Sequence, residues 1–292
     1  MIFSAEISFL DFVLFECDEF SMMLPMDELT AVLNSTIDLV KKVGAFQLQY
    51  FRQMPDDASD MKAVRETVSF VDVESEKILA EGLLPLVANA GFYGEESGKK
   101  GSQELVWIVD PLDGTTNYLS GLDQFSVSVA LVKDGSPLLG VVYKPFSDEL
   151  FTCIQGQGVA YNGEVCRPRY PAADVSEALF STGFPYRSPD IAEQFFNAAA
   201  GILTLGRGIR RSGSAALDVA HLAMGWHQGF WETDLQPYDI AAGILMMREN
   251  GIVVSNQHGE PFNMFTDRLI VAGLPNVHPS LLAKVAEAYQ LD

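Results

Sequence analysis

The chain has 292 residues, of which 48% are hydrophobic and 20% charged, a composition typical of a globular protein with a sizeable core. Asp and Glu number 39 against 19 for Lys and Arg, so the formal net charge is −20. Because nucleic acids and anionic membranes attract clustered basic residues, this charge argues against either as a partner. The 3 cysteines form no CxxC pair, which indicates a reducing compartment and predicts a cytoplasmic protein.

Residues 1–25 are rich in apolar side chains, but five acidic residues interrupt them well short of a membrane span. They predict an N-terminal extension of unknown role and no membrane partner. Apolar residues at helical spacing from Met26 to about Gln53 predict a long helix. A short extended segment then leads into a second amphipathic helix, followed by a turn-rich connection that contains Glu95 and Glu96.

A buried strand comes next, and after it apolar and polar residues alternate. This alternation, punctuated by Asp134-Gly135 and Asn162-Gly163, predicts antiparallel strands joined by tight hairpins. Beyond a proline-containing break the pattern changes to strands and helices in alternation, including a helix that begins at Asp239. We therefore predict an α+β half at 26–170 and an α/β half at 171–292.

The buried strand runs into the sequence WIVDPLDGTTNY, in which Asp110 and Asp113 lie three residues apart. Aspartates are costly to bury, so three roles are considered: a covalent nucleophile with its acid, a metal cage, and a capped turn. Phosphatases of the haloacid dehalogenase type carry aspartates two residues apart in a D-x-D-G-T motif, so this spacing disfavours the nucleophile. For an isolated D-G-T, the favoured interpretation is a turn in which Asp caps the next helix and Gly114 adopts an unusual φ.

Three further carboxylates also lie at turns, breaks or helix starts: Glu95 after a glycine, Asp239 at a helix start, and Asp72 in a short polar break. Taken singly, each is expected to be a helix cap or a solvated charge. If they converged with Asp110 and Asp113, they would form an oxygen-rich cage suited to Mg2+, and their mutual repulsion would demand a cation. The residues alone do not show whether they converge, so the metal cage and the capped turn both stay open.

Three motifs in this order, GEES at 94–97, WIVDPLDGTTNY at 107–118 and PYDIAAG at 237–243, resemble the inositol monophosphatase family. The segments TGFP, RRSGSAALDVAHLAMG and GFWE are also similar to that family, and the resemblance extends from Met26 to the C-terminus. Tyr238 stands where the family usually has Trp, which keeps an aromatic ring. The resemblance implies an α/β (α+β) fold, a layered αβαβα sandwich like that of inositol monophosphatase and fructose-1,6-bisphosphatase, assembled as a homodimer.

The resemblance also implies two Mg2+ ions, with a third, weaker site near Asp72 and Glu95. Glu95, Asp110 and the backbone carbonyl of Leu112 would hold the first ion. Asp110, Asp113 and Asp239 would hold the second. The implied catalytic residues are Glu95 and Thr115, which would orient the attacking water, together with Asp72. The implied substrate-binding residues are Asp113, Gly114 and Thr115 for the phosphate, and Gly213, Ser214, Ala215 and Glu232 for the alcohol.

The activity implied by the resemblance is Mg2+-dependent hydrolysis of a small-molecule phosphate monoester without a phosphoenzyme. The residues that follow DGT, Thr116-Asn117-Tyr118, are of the inositol type, so inositol-1-phosphate is the expected substrate. Fructose-1,6-bisphosphate and other sugar phosphates stay open, because relatives with the same motif can be broad. A catalytically weak binding or regulatory protein on the same fold is the alternative from a different class.

Overall fold

The computed structural model describes residues 24–53, 59–63, 66–167 and 174–289. Of the predicted N-terminal extension, only Leu24 and Pro25 fall within these ranges, and the predicted boundary between 170 and 171 lies outside them. Among the described residues, no helix is both long and apolar enough to cross a lipid bilayer.

Helices account for much of the described chain, and their positions agree with the predicted segments. The α-helices are α1 (Met26–Tyr50), α2 (Phe70–Leu83), α3 (Thr115–Leu119), α4 (Ala192–Leu203), α5 (Ala215–Ala223), α6 (Pro237–Glu249) and α7 (His278–Tyr289). Helix α6 begins two residues before the predicted start at Asp239. Proline suits the first helical position because its missing N–H would have no helical partner there, and Asp239 therefore lies in the first turn.

The strands within the described ranges form two large sheets and one two-stranded sheet. They are β1 (Ser59–Ala63), β2 (Glu66–Ser69), β3 (Gly91–Gly94), β4 (Gly98–Lys100), β5 (Leu105–Asp113), β6 (Ser126–Lys133), β7 (Ser136–Lys144), β8 (Glu149–Ile154), β9 (Val159–Tyr161), β10 (Glu164–Cys166), β11 (Leu179–Thr182), β12 (Gly208–Arg210), β13 (Gly229–Thr233), β14 (Val253–Asn256) and β15 (Leu269–Gly273). The first sheet has the order β10-β9-β8-β7-β6-β5-β3-β4, and the second has the order β12-β11-β13-β15-β14. Strands β1 and β2 pair only with each other.

The two sheets are separated and covered by helices in five layers. Helices α1 and α2 pack on the outer face of the first sheet, α5 and α6 lie between the sheets, and α4 and α7 cover the second sheet. This is the predicted αβαβα sandwich. The layering explains why β5 is a continuous apolar run. Trp107 and Val109 pack in the outer core beside α1 and α2, whereas Val106 and Ile108 pack in the core shared with α5 and α6.

The two predicted hairpin turns are confirmed. Asp134 and Asn162 both have φ of 48°, and the glycines that follow them have φ of 78° and 84°. Two consecutive positive φ values define the tight turn whose twist matches that of paired strands. Asp and Asn tolerate this backbone better than other residues with a side chain, and glycine adopts it freely.

The central helical layer depends on one close crossing of α5 and α6. A Cβ atom placed on Gly243 of α6 would lie 2.0 Å from Cγ2 of Val219 on α5. Val219 is fully buried, and a β-branched side chain in a helix has essentially one rotamer, so it cannot move aside. Glycine therefore sets the distance between the two helices that join the sheets.

We expect Gly243→Ala to lower the free energy of unfolding by about 2 kcal/mol, because overpacking outweighs the higher helix propensity of alanine. Gly201→Ala in α4 is the matched control. A Cβ there would meet only the flexible side chain of Lys284, at 3.0 Å from Cδ, so this variant should be neutral or slightly more stable. Urea unfolding of both variants measures the difference. Equal stabilities would contradict the proposed role of the crossing.

Candidate metal and phosphate site

Two strands of the first sheet bring three of the predicted carboxylates together. Strands β3 and β5 are parallel neighbours with Gly94 opposite Val109, so Glu95 follows β3 at the edge where Asp110 ends the regular part of β5. The pairing of β5 with β6 is irregular between Asp110 and Asp113. Pro111 lies in that interval, and its lack of an N–H is consistent with the interruption. The bulge leaves both aspartates near the same edge.

Two helices supply the other predicted carboxylates from their first turns. Asp72 is in the first turn of α2 and is 1% exposed, and Asp239 is in the first turn of α6, where its Oδ2 accepts a hydrogen bond from Gln236 N at 2.6 Å. Each carboxylate therefore lies at the positive end of a helix dipole. This position offsets part of the cost of burying a negative charge.

The electrostatics of Asp110 show that the carboxylates converge. Its pKa is raised well above the usual range, first by burial and then by the negative charges of Glu95, Asp113, Asp239 and Asp72. Burial and the charge of Asp239 likewise raise the pKa of Asp113 to about 7, although hydrogen bonds from other groups act against the shift. The raised pKa values show that the ionised forms repel one another, and either a bound proton or a metal cation relieves that repulsion.

The geometry of the cluster fits a hard divalent cation. One carboxylate oxygen from each of Asp110, Asp113 and Asp239 lies within 4.8 Å of the other two. Carboxylate oxygens are the ligands that Mg2+ and Ca2+ prefer, and burial of three such groups together is unfavourable without an ion. The metal cage is therefore the interpretation of these aspartates that agrees with the structure.

The turn after Asp110 is held by a chain of hydrogen bonds. Leu112 N donates to Oδ1 of Asp110 at 3.0 Å, and Thr115 Oγ1 donates to the carbonyl of Leu112 at 2.9 Å. Gln47 Nε2 on α1 donates to the carbonyl of Pro111 at 2.7 Å. A carbonyl oxygen has two lone pairs, so the Leu112 carbonyl can accept from Thr115 and still face an ion. Its role as a ligand stays a prediction.

The locally capped turn that an isolated D-G-T favours is not what the structure contains. Helix α3 is preceded by Gly114, with φ of 93°, and has no side-chain cap. The carboxylate of Asp113 instead caps the distant helix α5, accepting hydrogen bonds from Ser214 Oγ and from Ala216 N at 2.8 Å. The predicted unusual φ at Gly114 is confirmed. A Cβ there would lie 2.7 Å from the carbonyl of Gln124, so no larger residue fits.

The loop before α5 forms the second wall of the site. Ser214 is the N-cap of α5, because its Oγ accepts from Leu217 N at 3.3 Å. Asn117 Nδ2 donates to the carbonyls of Gln124 at 2.7 Å and Ser212 at 2.9 Å, and so ties the DGTTN loop to this wall. Glu232 on β13 faces the same space from the second sheet. The site thus lies between the two sheets, at the N-terminal ends of α5 and α6.

These elements enclose a cavity of about 320 Å3 that continues into a narrower lobe between the second sheet and α5. The predicted site residues that line the cavity or its narrower lobe are Glu95, Asp110, Leu112, Asp113, Gly114, Thr115, Gly213, Ser214, Ala215, Glu232 and Asp239. Asp72 does not line it, although it is buried and its charge acts on Asp110. The volume is in the range that accommodates a small organic phosphate.

Several residues of the site were not singled out in the sequence. Glu76 on α2 accepts hydrogen bonds from the N–H groups of Glu96 at 2.7 Å and Ser97 at 2.9 Å, which fixes the loop that carries Glu95. Arg187 and Arg211 line both lobes of the cavity. A signal was available for both arginines, because basic residues are few in this acidic chain and these two lie close to the TGFP motif or within the RRSGS motif.

Asp218 on α5 is a further buried carboxylate at the inner end of the narrower lobe. Burial raises its pKa to about 8; Ser212 and Arg211 act against the shift, and Asp113 adds to it. A pKa raised this far favours the protonated carboxyl group in the folded protein near neutral pH. An unfolded chain would have the same group ionised above about pH 4.

Comparison with known proteins connects the chain to one family. The model of the "Inositol monophosphatase family" matches residues 28–290. "Nus factor SuhB" from Escherichia coli is 34% identical over 258 residues, which cover 88% of this chain and 96% of that protein. "Inositol-1-monophosphatase" from Rhizobium meliloti is 37% identical over 226 residues, covering 76% of this chain and 84% of the relative.

Solved structures resemble the fold as a whole. Extragenic suppressor protein suhB from Bartonella henselae superposes with a TM-score of 0.81 at 35% identity, over 87% of this chain and 98% of that chain. Inositol monophosphatase from Anabaena (Nostoc) superposes with a TM-score of 0.79 at 31% identity, over 89% of this chain and 97% of that chain. The five-layer architecture is therefore shared along almost the full length of these proteins.

Because Asp218 binds a proton only in the folded state between about pH 4 and pH 8, its contribution to stability is present at low pH and lost as the pH rises through 8. Between pH 6 and pH 9 the free energy of unfolding should therefore fall in the wild type. In Asp218→Asn we expect this fall to be smaller by roughly 2 kcal/mol. Urea unfolding in EDTA measures this difference. Asp134→Asn, an exposed turn variant, should show the same dependence of unfolding free energy on pH as the wild type. If D218N also showed the wild-type dependence, the raised pKa assigned to Asp218 would be contradicted.

Proposed function

The chain belongs to the inositol monophosphatase family, and on that premise we propose that it hydrolyses inositol-1-phosphate to inositol and phosphate with the help of Mg2+. Phosphatase activity follows from family membership, and the identity of the ester and of the metal is our proposal. The observation that carries it is the convergence of Asp110, Asp113 and Asp239 within 4.8 Å beside a cavity of small-molecule size.

The metal ligands that we propose are Glu95, Asp110, Asp113, Asp239 and the backbone carbonyl of Leu112, holding two Mg2+ ions. A third, weaker ion near Asp72 and Glu95 stays a prediction. When bound, Mg2+ supplies Lewis acidity, which lowers the pKa of water and neutralises the charge on the phosphate oxygens. The negative cluster thereby becomes a site that attracts a phosphate ester.

The hydroxyl of Thr115 is arranged to orient a water molecule. Its single hydrogen is directed to the carbonyl of Leu112 at 2.9 Å, so toward the cavity Oγ1 can act only as an acceptor. A water that donates one hydrogen to Thr115 and the other to the carboxylate of Glu95 would present a lone pair to phosphorus. We propose that Glu95 takes up the proton released as this water attacks phosphorus in line, while the bond from phosphorus to the inositol oxygen breaks and that oxygen leaves with a proton from solvent water.

The aspartates are poorly suited to act as nucleophiles themselves. Oδ2 of Asp113 accepts hydrogen bonds from Ser214 Oγ and Ala216 N, and Oδ1 of Asp110 accepts one from Leu112 N. Hydrogen bonds to an oxygen lower its nucleophilicity and fix its direction. These contacts favour direct attack by water over a phosphoaspartate intermediate.

The narrower lobe is suited to the alcohol part of the substrate. Glu232 faces it across Gly183, where a Cβ would lie 1.9 Å from Oε1 of Glu232, so glycine is needed for this approach. A carboxylate there can accept hydrogen bonds from neighbouring ring hydroxyls. We propose that Gly213, Ser214 and Ala215 form the opposite wall against the ring. Fructose-1,6-bisphosphate and other sugar phosphates remain alternative substrates for the same site, and the homodimer and cytoplasmic location stay predictions.

A regulatory binding role is the second candidate, because several relatives at 33–34% identity carry the name "Nus factor SuhB". The full set of proposed ligands in this chain favours catalysis over that role. The prediction of no nucleic-acid partner rests on net charge alone. A protein that binds neither Mg2+ nor phosphate in calorimetry but retains a specific macromolecular partner would favour the second candidate.

We expect phosphate release from inositol-1-phosphate to require Mg2+ and to fall at least about a thousandfold in kcat for Asp110→Asn, because Asp110 is proposed to contact both ions. The assay is phosphate release with and without EDTA. Asp134→Asn is the matched control, since Asn suits the positive φ of that exposed turn equally well. Activity that survives EDTA in the wild type would refute the metal dependence.

We expect Glu232→Gln to raise KM for inositol-1-phosphate by about tenfold to a hundredfold, because one of the two carboxyl oxygens is replaced by an amide nitrogen that cannot accept hydrogen bonds from ring hydroxyls. With p-nitrophenyl phosphate, which has no ring hydroxyls, the same variant should keep wild-type kinetics within about twofold. The ratio of kcat/KM for the two esters is the measurement. An equal loss on both esters would place Glu232 outside the proposed alcohol site.

A further inference from the structure

Arg187 is positioned beside the proposed metal ligands. Its Nη1 lies 3.6 Å from Oδ2 of Asp239, and its side chain is 26% exposed. Among the described residues that line the two lobes of the cavity, the basic ones are Arg187 and Arg211. A guanidinium stays protonated at any accessible pH, so Arg187 is a permanent positive charge within an acidic site.

The charge of Arg187 is strongly coupled to the cluster. Burial by itself would lower the pKa of Arg187, but Asp239, followed by Tyr186, Tyr238 and Glu95, raises it above its ordinary value. Asp239 is one of the three aspartates whose oxygens lie within 4.8 Å of one another. The arginine therefore neutralises part of the repulsion that these carboxylates exert on each other.

The loop that carries Arg187 is held in place by its own contacts. Ser188 Oγ donates a hydrogen bond to Oδ2 of Asp234, and Nε of Arg268 donates to Oδ1 of the same carboxylate at 2.7 Å. Arg187 Cζ also lies 5.5 Å from the ring centroid of Tyr186. These contacts hold the backbone next to Arg187 at Ser188 and place the ring of Tyr186 beside the guanidinium.

We propose that Arg187 is a positioning residue that acts as the counter-ion of Asp239 in the metal-free protein and thereby weakens the binding of Mg2+. A divalent ion entering the cluster must share Asp239 with the guanidinium or displace it, and the fixed positive charge repels the ion. The same contact stabilises the metal-free fold. This inference rests on the proposed metal dependence and deepens it. It states that one side chain, Arg187, raises the stability of the metal-free protein and lowers its affinity for Mg2+.

The proposal predicts two effects of opposite sign for Arg187→Gln. The metal-free variant should melt about 2–4 °C below the wild type, because one neutralising contact is lost. Its affinity for Mg2+, measured by isothermal titration calorimetry in the absence of substrate, should be about tenfold higher. A merely structural role for Arg187 would lower the melting temperature and leave the affinity unchanged or weaker.

Arg187→Lys is the matched control, because it keeps the charge at nearly the same place. It should bind Mg2+ within about twofold of the wild type. A tenfold gain in R187K equal to that of R187Q would assign the effect to side-chain shape and overturn the proposal.

The second measurement is a double-mutant cycle with Asp239→Asn. In the D239N background the partner carboxylate is neutral, so adding R187Q should change the melting temperature of the metal-free protein by less than about 1 °C. A loss of about 2–4 °C in the D239N background, equal to that expected in the wild type, would overturn the coupling to Asp239.

The outcomes separate this inference from the proposed function. If wild-type protein does not bind Mg2+ in calorimetry, the proposed metal dependence fails and this inference fails with it. If the wild type binds Mg2+ and R187Q binds it no more tightly, the proposed function stands and the role of Arg187 is refuted.

Discussion

The arrangement of this molecule depends on the repulsion among buried carboxylates at the edge of the first sheet. Burial and the charges of four neighbouring acids raise the pKa of Asp110, so the cluster opposes folding unless positive charge is supplied. The fold supplies it in part through the first turns of α2 and α6 and through the guanidinium of Arg187. A divalent cation would supply the rest. A cation bound there would relieve the repulsion that makes the site costly to form, and would in turn attract a phosphate ester.

The site also joins the two halves of the molecule. Asp113 belongs to the first sheet, yet its carboxylate caps α5 of the central helical layer through Ser214 and Ala216. Asn117 makes a second connection to the carbonyl of Ser212. Helices α5 and α6 in turn pack against strands of both sheets. The residues on either side of the predicted boundary therefore share one layer of core, and both contribute side chains to the site.

Glycine is used where two surfaces approach most closely. Gly243 allows α6 to cross α5 in contact with Val219, and Gly183 allows Glu232 to face the narrower lobe. Gly114 combines a positive φ with contact to the carbonyl of Gln124. At each position a side chain would move an element of the site or of the scaffold away from its partner. Packing of the central layer and geometry of the site are thus set by the same kind of constraint.

Local patterns in the sequence determined the elements of this protein and the chemical character of its site. Apolar periodicity located α1, β5 and the hairpins, because helical and strand periods are properties of short segments. Oxygen ligands at element ends, together with the resemblance of the ordered motifs, pointed to a metal and a phosphate. Only the tertiary structure decided that Asp239, far along the chain, lies with Asp110 and Asp113, and that Asp113 caps α5 and not the adjacent α3. It also placed Arg187 at Asp239. These contacts depend on how the sheets stack across the central helices, and stacking is a property of side-chain packing between distant segments that no local period encodes.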